Sequence, residues 1–134
     1  MASVIDIEGI GPAYAEKLKA AKISTTETLL ERGAAPKGRA EIEEATGISH
    51  KLVLRWVNMA DLYRLQGVGS EYSELLEASG VDTVPELAHR NAANLHAKMA
   101  EVNDEKNLVR ELPTLHAVES WVAQAKELPR VVTY

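Results

Sequence analysis

The sequence predicts an all-α fold arranged as two repeated halves, and three observations carry that reading. Apolar residues recur at helical spacing, most clearly at Leu52, Val53, Trp56, Val57, Ala60 and Tyr63. Capping residues and glycines punctuate the chain at intervals suited to short helices. A shift of 58 positions lays Ile7-Glu8-Gly9-Ile10-Gly11-Pro12-Ala13-Tyr14 over Leu65-Gln66-Gly67-Val68-Gly69-Ser70-Glu71-Tyr72. The register holds through Leu18 and Leu76, Ile23 and Val81, Leu29 and Leu87, and Arg32 and Arg90. After a seven-residue insertion, Trp56-Val57 lies over Trp121-Val122, so both tryptophans of the chain occupy matching places. Self-similarity of this kind is the signature of an internal duplication.

The elements follow in order. Pro12 suits the first turn of a helix, where its missing N–H costs nothing, and that helix is expected to run to about Lys22. Ser24-Thr25-Thr26-Glu27 reads as a capping box, opening a short helix that Gly33 ends. Lys37 to Thr46 reads as helix with Gly47 as its stop, and Ser49 caps a long helix to about Leu65. In the second half Ser70 caps a helix stopped by Gly80. Thr83-Val84-Pro85-Glu86 reads as another capping box. Asn91 opens a helix toward Val102, and Thr114 caps the last one, Leu115 to Lys126. Leu128 to Tyr134 reads as an extended tail. Eight to ten short helices are expected. The halves divide as residues 1–64 and 65–134, linked without a Gly/Ser linker and packed into one bundle through Trp56, Leu62, Leu65 and Leu76.

Composition narrows the function classes. With no Cys, disulfides and thiolate chemistry are excluded, which suits a cytoplasmic setting. No apolar run reaches the roughly 20 residues of a membrane span, and Met1-Ala2-Ser3-Val4-Ile5-Asp6 has no basic segment of a signal peptide. The net charge of -5 argues against general nucleic-acid affinity. That charge is unevenly placed: residues 1–64 are neutral and residues 65–134 carry the whole excess. Lys17, Lys19 and Lys22, then Lys37 and Arg39, then Lys51 and Arg55 cluster in the first half.

The informative motif is Gly9-Ile10-Gly11, repeated as Gly67-Val68-Gly69. Gly permits the positive φ of a tight turn between helices. The central Ile10 or Val68 can pin the turn to the core, and Ala15 or Ser73 lets helices approach closely. This pattern resembles the helix-hairpin-helix motif, with Thr46-Gly47-Ile48-Ser49 as a weaker second hairpin and Leu112-Pro113-Thr114 as its degenerate counterpart. The expected architecture is therefore two pseudo-repeated double helix-hairpin-helix units in one compact helical bundle. The wider order, from Gly9-Ile10-Gly11-Pro12 through Pro36-Lys37-Gly38-Arg39, Trp56-Val57-Asn58-Met59-Ala60-Asp61-Leu62 and Gly80-Val81-Asp82-Thr83-Val84 to Trp121-Val122-Ala123-Gln124-Ala125-Lys126, is similar to an uncharacterised bacterial family, a domain of unknown function with helix-hairpin-helix units. That resemblance carries no activity.

Helix-hairpin-helix relatives that bind nucleic acid hold a DNA phosphate on hairpin amides and a helix N-terminus. Unpaired N–H groups and the positive end of the helix dipole attract any anion. The resemblance therefore implies sequence-independent binding of DNA or other nucleic acid through Gly9, Ile10, Gly11 and Ala13, with Lys17, Lys19, Lys37, Arg39 and Lys51 as the basic surface. The second hairpin is expected to be structural, because Glu71, Glu74 and Glu77 would repel phosphate. The alternative is a protein-interaction or assembly module, with that acidic face meeting a basic partner or another copy of the chain. Trp56 and Trp121 are expected as core anchors, Tyr14 and Tyr72 as packing residues, and Arg90 and Arg110 as partners of acidic groups across the core. His50, His89, His96 and His116 lack metal-type spacing. No nucleophile elbow, P-loop or dinucleotide fingerprint occurs, so neither cofactor nor enzymatic activity is expected.

Overall fold

A computed structural model describes residues 2–134; Met1, which opens the predicted first half and the N-terminal stretch read above, lies outside the described residues. The described residues are all-helical, with a single antiparallel bridge between Ser3 and Thr25 and no strand. The chain divides into two compact units. One ends at Asp61 and also holds Val131–Tyr134; the other is Leu62–Arg130. Of the tail read as residues 128–134 of the second half, Val131–Tyr134 thus groups with the first unit and the rest with the second.

In the first unit a 3-10 turn, Val4–Asp6, precedes α1 (Pro12–Ala20), α2 (Thr26–Gly33), α3 (Pro36–Thr46) and α4 (His50–Leu62), the last of which lies in this unit as far as Asp61. The 3-10 turn has a true capping box, in which Ser3 and Asp6 each accept from the other's neighbourhood, and the sequence reading passed over it. The α2 cap falls one residue later than expected: Thr25 accepts the Thr28 N–H at 3.1 Å, not Ser24. Gly47 ends α3 with φ of 72°, and Ser49 accepts from Leu52 N–H at the start of α4. Ile7, Leu18, Ile23, Leu29, Ile42 and Trp56 are buried, and both α1 and α2 pack on α3.

Gly33 ends α2 where expected, for a different reason. Its φ is not positive, and its place is set by closeness. A Cβ there would stand 2.4 Å from Val57 Cγ2, and one on Gly38 would stand 2.0 Å from the Arg32 carbonyl oxygen. Gly33 lets a side chain of α4 approach the α2 backbone, and Gly38 lets the α3 and α2 backbones approach each other, packing roles that local turn chemistry does not reveal.

The second unit holds α5 (Ser70–Ala78), α6 (Val84–Ala88), α7 (Ala92–Lys106) and α8 (Leu115–Glu127). Its core gathers Leu75, Leu76, Val81, Leu87, Leu95, Met99, Val118 and Trp121. Here α8 packs on α6 and α7, and α7 on α5. Asn91 and Thr114 cap α7 and α8 as read from sequence. Ser70 does not cap α5: Gly69 is the N-cap and Ser70 is the first helical residue. At α6 the reciprocal box is altered, with Glu86 reaching the Asp82 N–H and the Thr83 hydroxyl. Helix α7 runs one turn beyond Val102 and ends at Asn107, which takes φ of 52°.

The ends of α1 and α5 share one geometry. Ile23 N–H donates to Leu18 O and Lys22 N–H to Lys19 O; Val81 N–H donates to Leu76 O and Gly80 N–H to Glu77 O. Both are Schellman motifs, closed by a buried apolar pair, Leu18 with Ile23 and Leu76 with Val81. The left-handed residue is Gly80 in one and Lys22, at φ of 66°, in the other. Left-handed backbone strains a residue with a Cβ. Lys22→Gly should therefore raise stability by about 0.5–1 kcal/mol, the strain relieved less the entropy of a freer unfolded chain. A higher urea midpoint with unchanged slope checks this, and an unchanged or lower midpoint refutes it.

Candidate nucleic-acid interface

The first hairpin is built on a β-turn. Ile10 N–H donates to Ile7 O at 3.1 Å, and Gly9 takes φ of 98° at the third position, the conformation a type II turn demands. Ile10 is buried and pins the turn. Gly9 lies under two side chains of α4: a Cβ on it would stand 3.3 Å from both Arg55 Nη1 and Trp56 Nε1. Trp56 is 1% exposed, and its Nε1 has no hydrogen-bond partner. Tyr14 meets the same indole edge-on, ring centroids 5.0 Å apart.

Helix α1 begins directly after this turn. Its N-cap is Gly11, which offers no capping side chain, and its first residue is Pro12, which has no N–H. No acidic residue stands in the first turn. A helix start leaves its first amides without intrahelical acceptors. Of the four expected donors, Ile10 is already used within the turn, while Gly9, Gly11 and Ala13 have no acceptor among the described residues.

The expected cations separate. Lys17 is exposed and folds back so that Nζ lies 5.8 Å over the Tyr14 ring, on the hairpin side. Lys19 is exposed in the last turn of α1, and Lys37 and Lys51 are exposed in the first turns of α3 and α4. No bond ties these three to the hairpin. Arg39 leaves the surface altogether. It is 3% exposed, and its guanidinium donates to Gly33 O at 2.9 Å, Ala34 O at 3.0 Å and Thr133 O at 2.7 Å. It neutralises the carbonyl end of α2 rather than facing solvent. Arg55 replaces it at the hairpin. The sequence put Arg55 in the basic cluster but not at the site, and no local signal in the sequence marks its approach to Gly9.

The second hairpin repeats the backbone with different chemistry. Gly67 has φ of 91°, Val68 N–H donates to Leu65 O, and a Cβ on Gly67 would stand 3.3 Å from Trp121 Nε1. Tyr72 packs on Trp121 at 5.3 Å. Both tryptophans are thus buried anchors beneath hairpin glycines. Glu71, however, occupies the first turn of α5. The Arg110 backbone N–H and then its guanidinium bond to Glu71, and together they hold its carboxyl below the usual carboxylate range. This pair lies at the surface, where Arg110 is 93% exposed, and not across the core. Tyr72 OH donates to Glu111 O. Burial, then the Glu111 and Glu71 charges, raises its phenol above the ordinary value. Arg110 and Glu111 thereby form one wall of a cavity of about 600 Å³ over this hairpin, lined also by Gly67, Gly69, Ser70, Glu71 and Tyr72. The acidic face expected here is partly closed, since Glu71 is paired, and Glu74 and Glu77 have interactions of their own.

Among the described residues no cluster of His, Asp or Glu could hold a metal. His50 pairs with Glu43 at 2.9 Å, and His96 bonds the Pro113 carbonyl. No helix among the described residues is long and apolar enough to cross a membrane.

Short helices are joined by glycine turns, and two of these turns, at Gly9 and Gly67, lie beneath a tryptophan. The chain belongs to the family described as Domain of unknown function (DUF4332), which matches residues 8–128. No solved structure matches it.

Proposed function

We propose that this chain is a non-enzymatic helix-hairpin-helix module that arose by duplication, works in the cytoplasm, and holds nucleic-acid phosphate without reading sequence. The first hairpin is the contact. The observation that carries this reading is the start of α1: an uncapped N-terminus with no acidic first-turn residue, directly after a turn against which Arg55 lies. Oriented amides and a nearby cation are what a phosphate requires. The second hairpin has the same turn but holds Glu71 where the phosphate would sit, so it serves the fold. Recurrence of the Schellman motif, the Gly–Trp contact and the Arg32/Arg90 pair of positions supports duplication. Arg32 donates to Ala21 O at the end of α1, and Arg90 lies against Gly80 at the end of α5.

Fluorescence anisotropy with labelled duplex, single-stranded and branched DNA, and with RNA, tests this across a salt series. Two or three phosphate contacts predict a slope of log K against log salt of about -2 to -3. Lys17→Glu with Lys19→Glu should flatten that slope and weaken binding to every sequence alike. Failure to bind any of these at low salt would end the phosphate reading and leave assembly with a protein partner as the function to pursue.

A further inference from the structure

The segment Val131–Tyr134 occupies a built slot on the first unit. Val132 is buried. Thr133 N–H donates to Ala34 O at 2.8 Å, and Arg39 Nη2 donates to Thr133 O at 2.7 Å. Tyr134 OH donates to Asn58 Oδ1 at 3.0 Å, and the Arg39 guanidinium lies 5.6 Å over the Tyr134 ring. The residues immediately before it belong to the second unit. Helix α8 ends at Glu127, and only Leu128, Pro129 and Arg130 intervene, with Leu128 already extended at φ of -89° and ψ of 137°.

We propose that this slot is an exchange site, able to take the Val131–Tyr134 segment of a second copy of the chain and so to pair two copies reciprocally. The occupant is read from the slot itself. Every bond named above joins the segment to Ala34, Arg39 or Asn58, and none depends on which chain supplies it. A short connector between one unit and the segment it lends to the other is an arrangement in which segments exchange between identical protomers. The closed monomer keeps the advantage of its own tether, equivalent to roughly millimolar segment. Pairing is therefore a high-concentration state, and it is independent of the phosphate site.

Two full-length variants test it by complementation. Val132→Asp spoils the segment and leaves the slot; Arg39→Met spoils the slot and leaves the segment. Each alone should run as a monomer, and their mixture should form a one-to-one pair by light scattering as concentration approaches about 1 mM. A mixture that stays monomeric over that range overturns the proposal. If Arg39→Met does not fold, a labelled peptide of residues 129–134 stands in for it: binding to Val132→Asp, abolished by excess unlabelled peptide, supports exchange, and no binding refutes it. If Val132→Asp does not fold alone, recovery of its helicity on refolding with that peptide supports the slot, and no recovery refutes it.

Discussion

Gly38→Ala is expected to destabilise the chain by about 1–3 kcal/mol, even though alanine is the better helix former by about 1 kcal/mol. Gly38 lies inside α3, where a propensity argument alone predicts a gain. The added Cβ would stand 2.0 Å from the Arg32 carbonyl oxygen, 3.2 Å from its carbon and 3.9 Å from Gly33 Cα. These are backbone atoms of α2, so no side chain can swing away. Relief requires α3 to move off α2, which opens the contact that buries Leu29, Leu30 and Ile42. Gly11→Ser should behave in the opposite sense. Nothing lies within 4 Å of a Cβ there, the backbone is already extended, and serine caps the uncapped start of α1. Urea midpoints of the two variants should move to opposite sides of the parent. A Gly38→Ala midpoint at or above the parent value would refute the packing account.

Arg39→Met should cost about 3 kcal/mol or more. Methionine matches the aliphatic stem but removes the donor from the Gly33 and Thr133 carbonyls and one of the donors from Ala34 O, which keeps the Thr133 N–H. No carboxylate pairs with Arg39 among the described residues; its charge rests on the carbonyl end of α2 and on the Tyr134 ring. That arrangement selects a planar, five-donor guanidinium over a point charge. Arg39→Lys should therefore restore only part of the loss. Full rescue by lysine, or a loss below about 1 kcal/mol, would show that the carbonyls are satisfied some other way.

Much of the fold was legible because helix boundaries here are chemical. Gly47, Ser49, Asn91 and Thr114 do what their types suggest. Errors arose where two suitable residues adjoin. Ser24 and Thr25, or Gly69 and Ser70, are both plausible caps, and the choice is made by the tertiary path of the chain, not by the pair itself. Gly33 shows a second limit: the residue marked the right boundary, but its reason is Val57, 24 positions away. The site was legible as a turn and not as a surface. Gly9, Gly11 and Ala13 follow from local pattern. Whether a cation joins them depends on which face of a distant helix it occupies, so Arg39 was wrongly put at the surface and Arg55 was undervalued. The pairing of Arg110 with an acidic residue was expected, but not that its partner would be Glu71, because that contact crosses 39 residues and the insertion.

The two indoles have an optical consequence. Each unit contains one tryptophan, buried against its own hairpin glycine and touching its own tyrosine. Replacing one of them leaves a chromophore that senses a single turn. Emission from Trp56 alone would follow the loosening of the first hairpin, and emission from Trp121 alone that of the second. The chain carries its own pair of separable reporters, one for each half of its unfolding, and the first of them lies at the candidate phosphate contact.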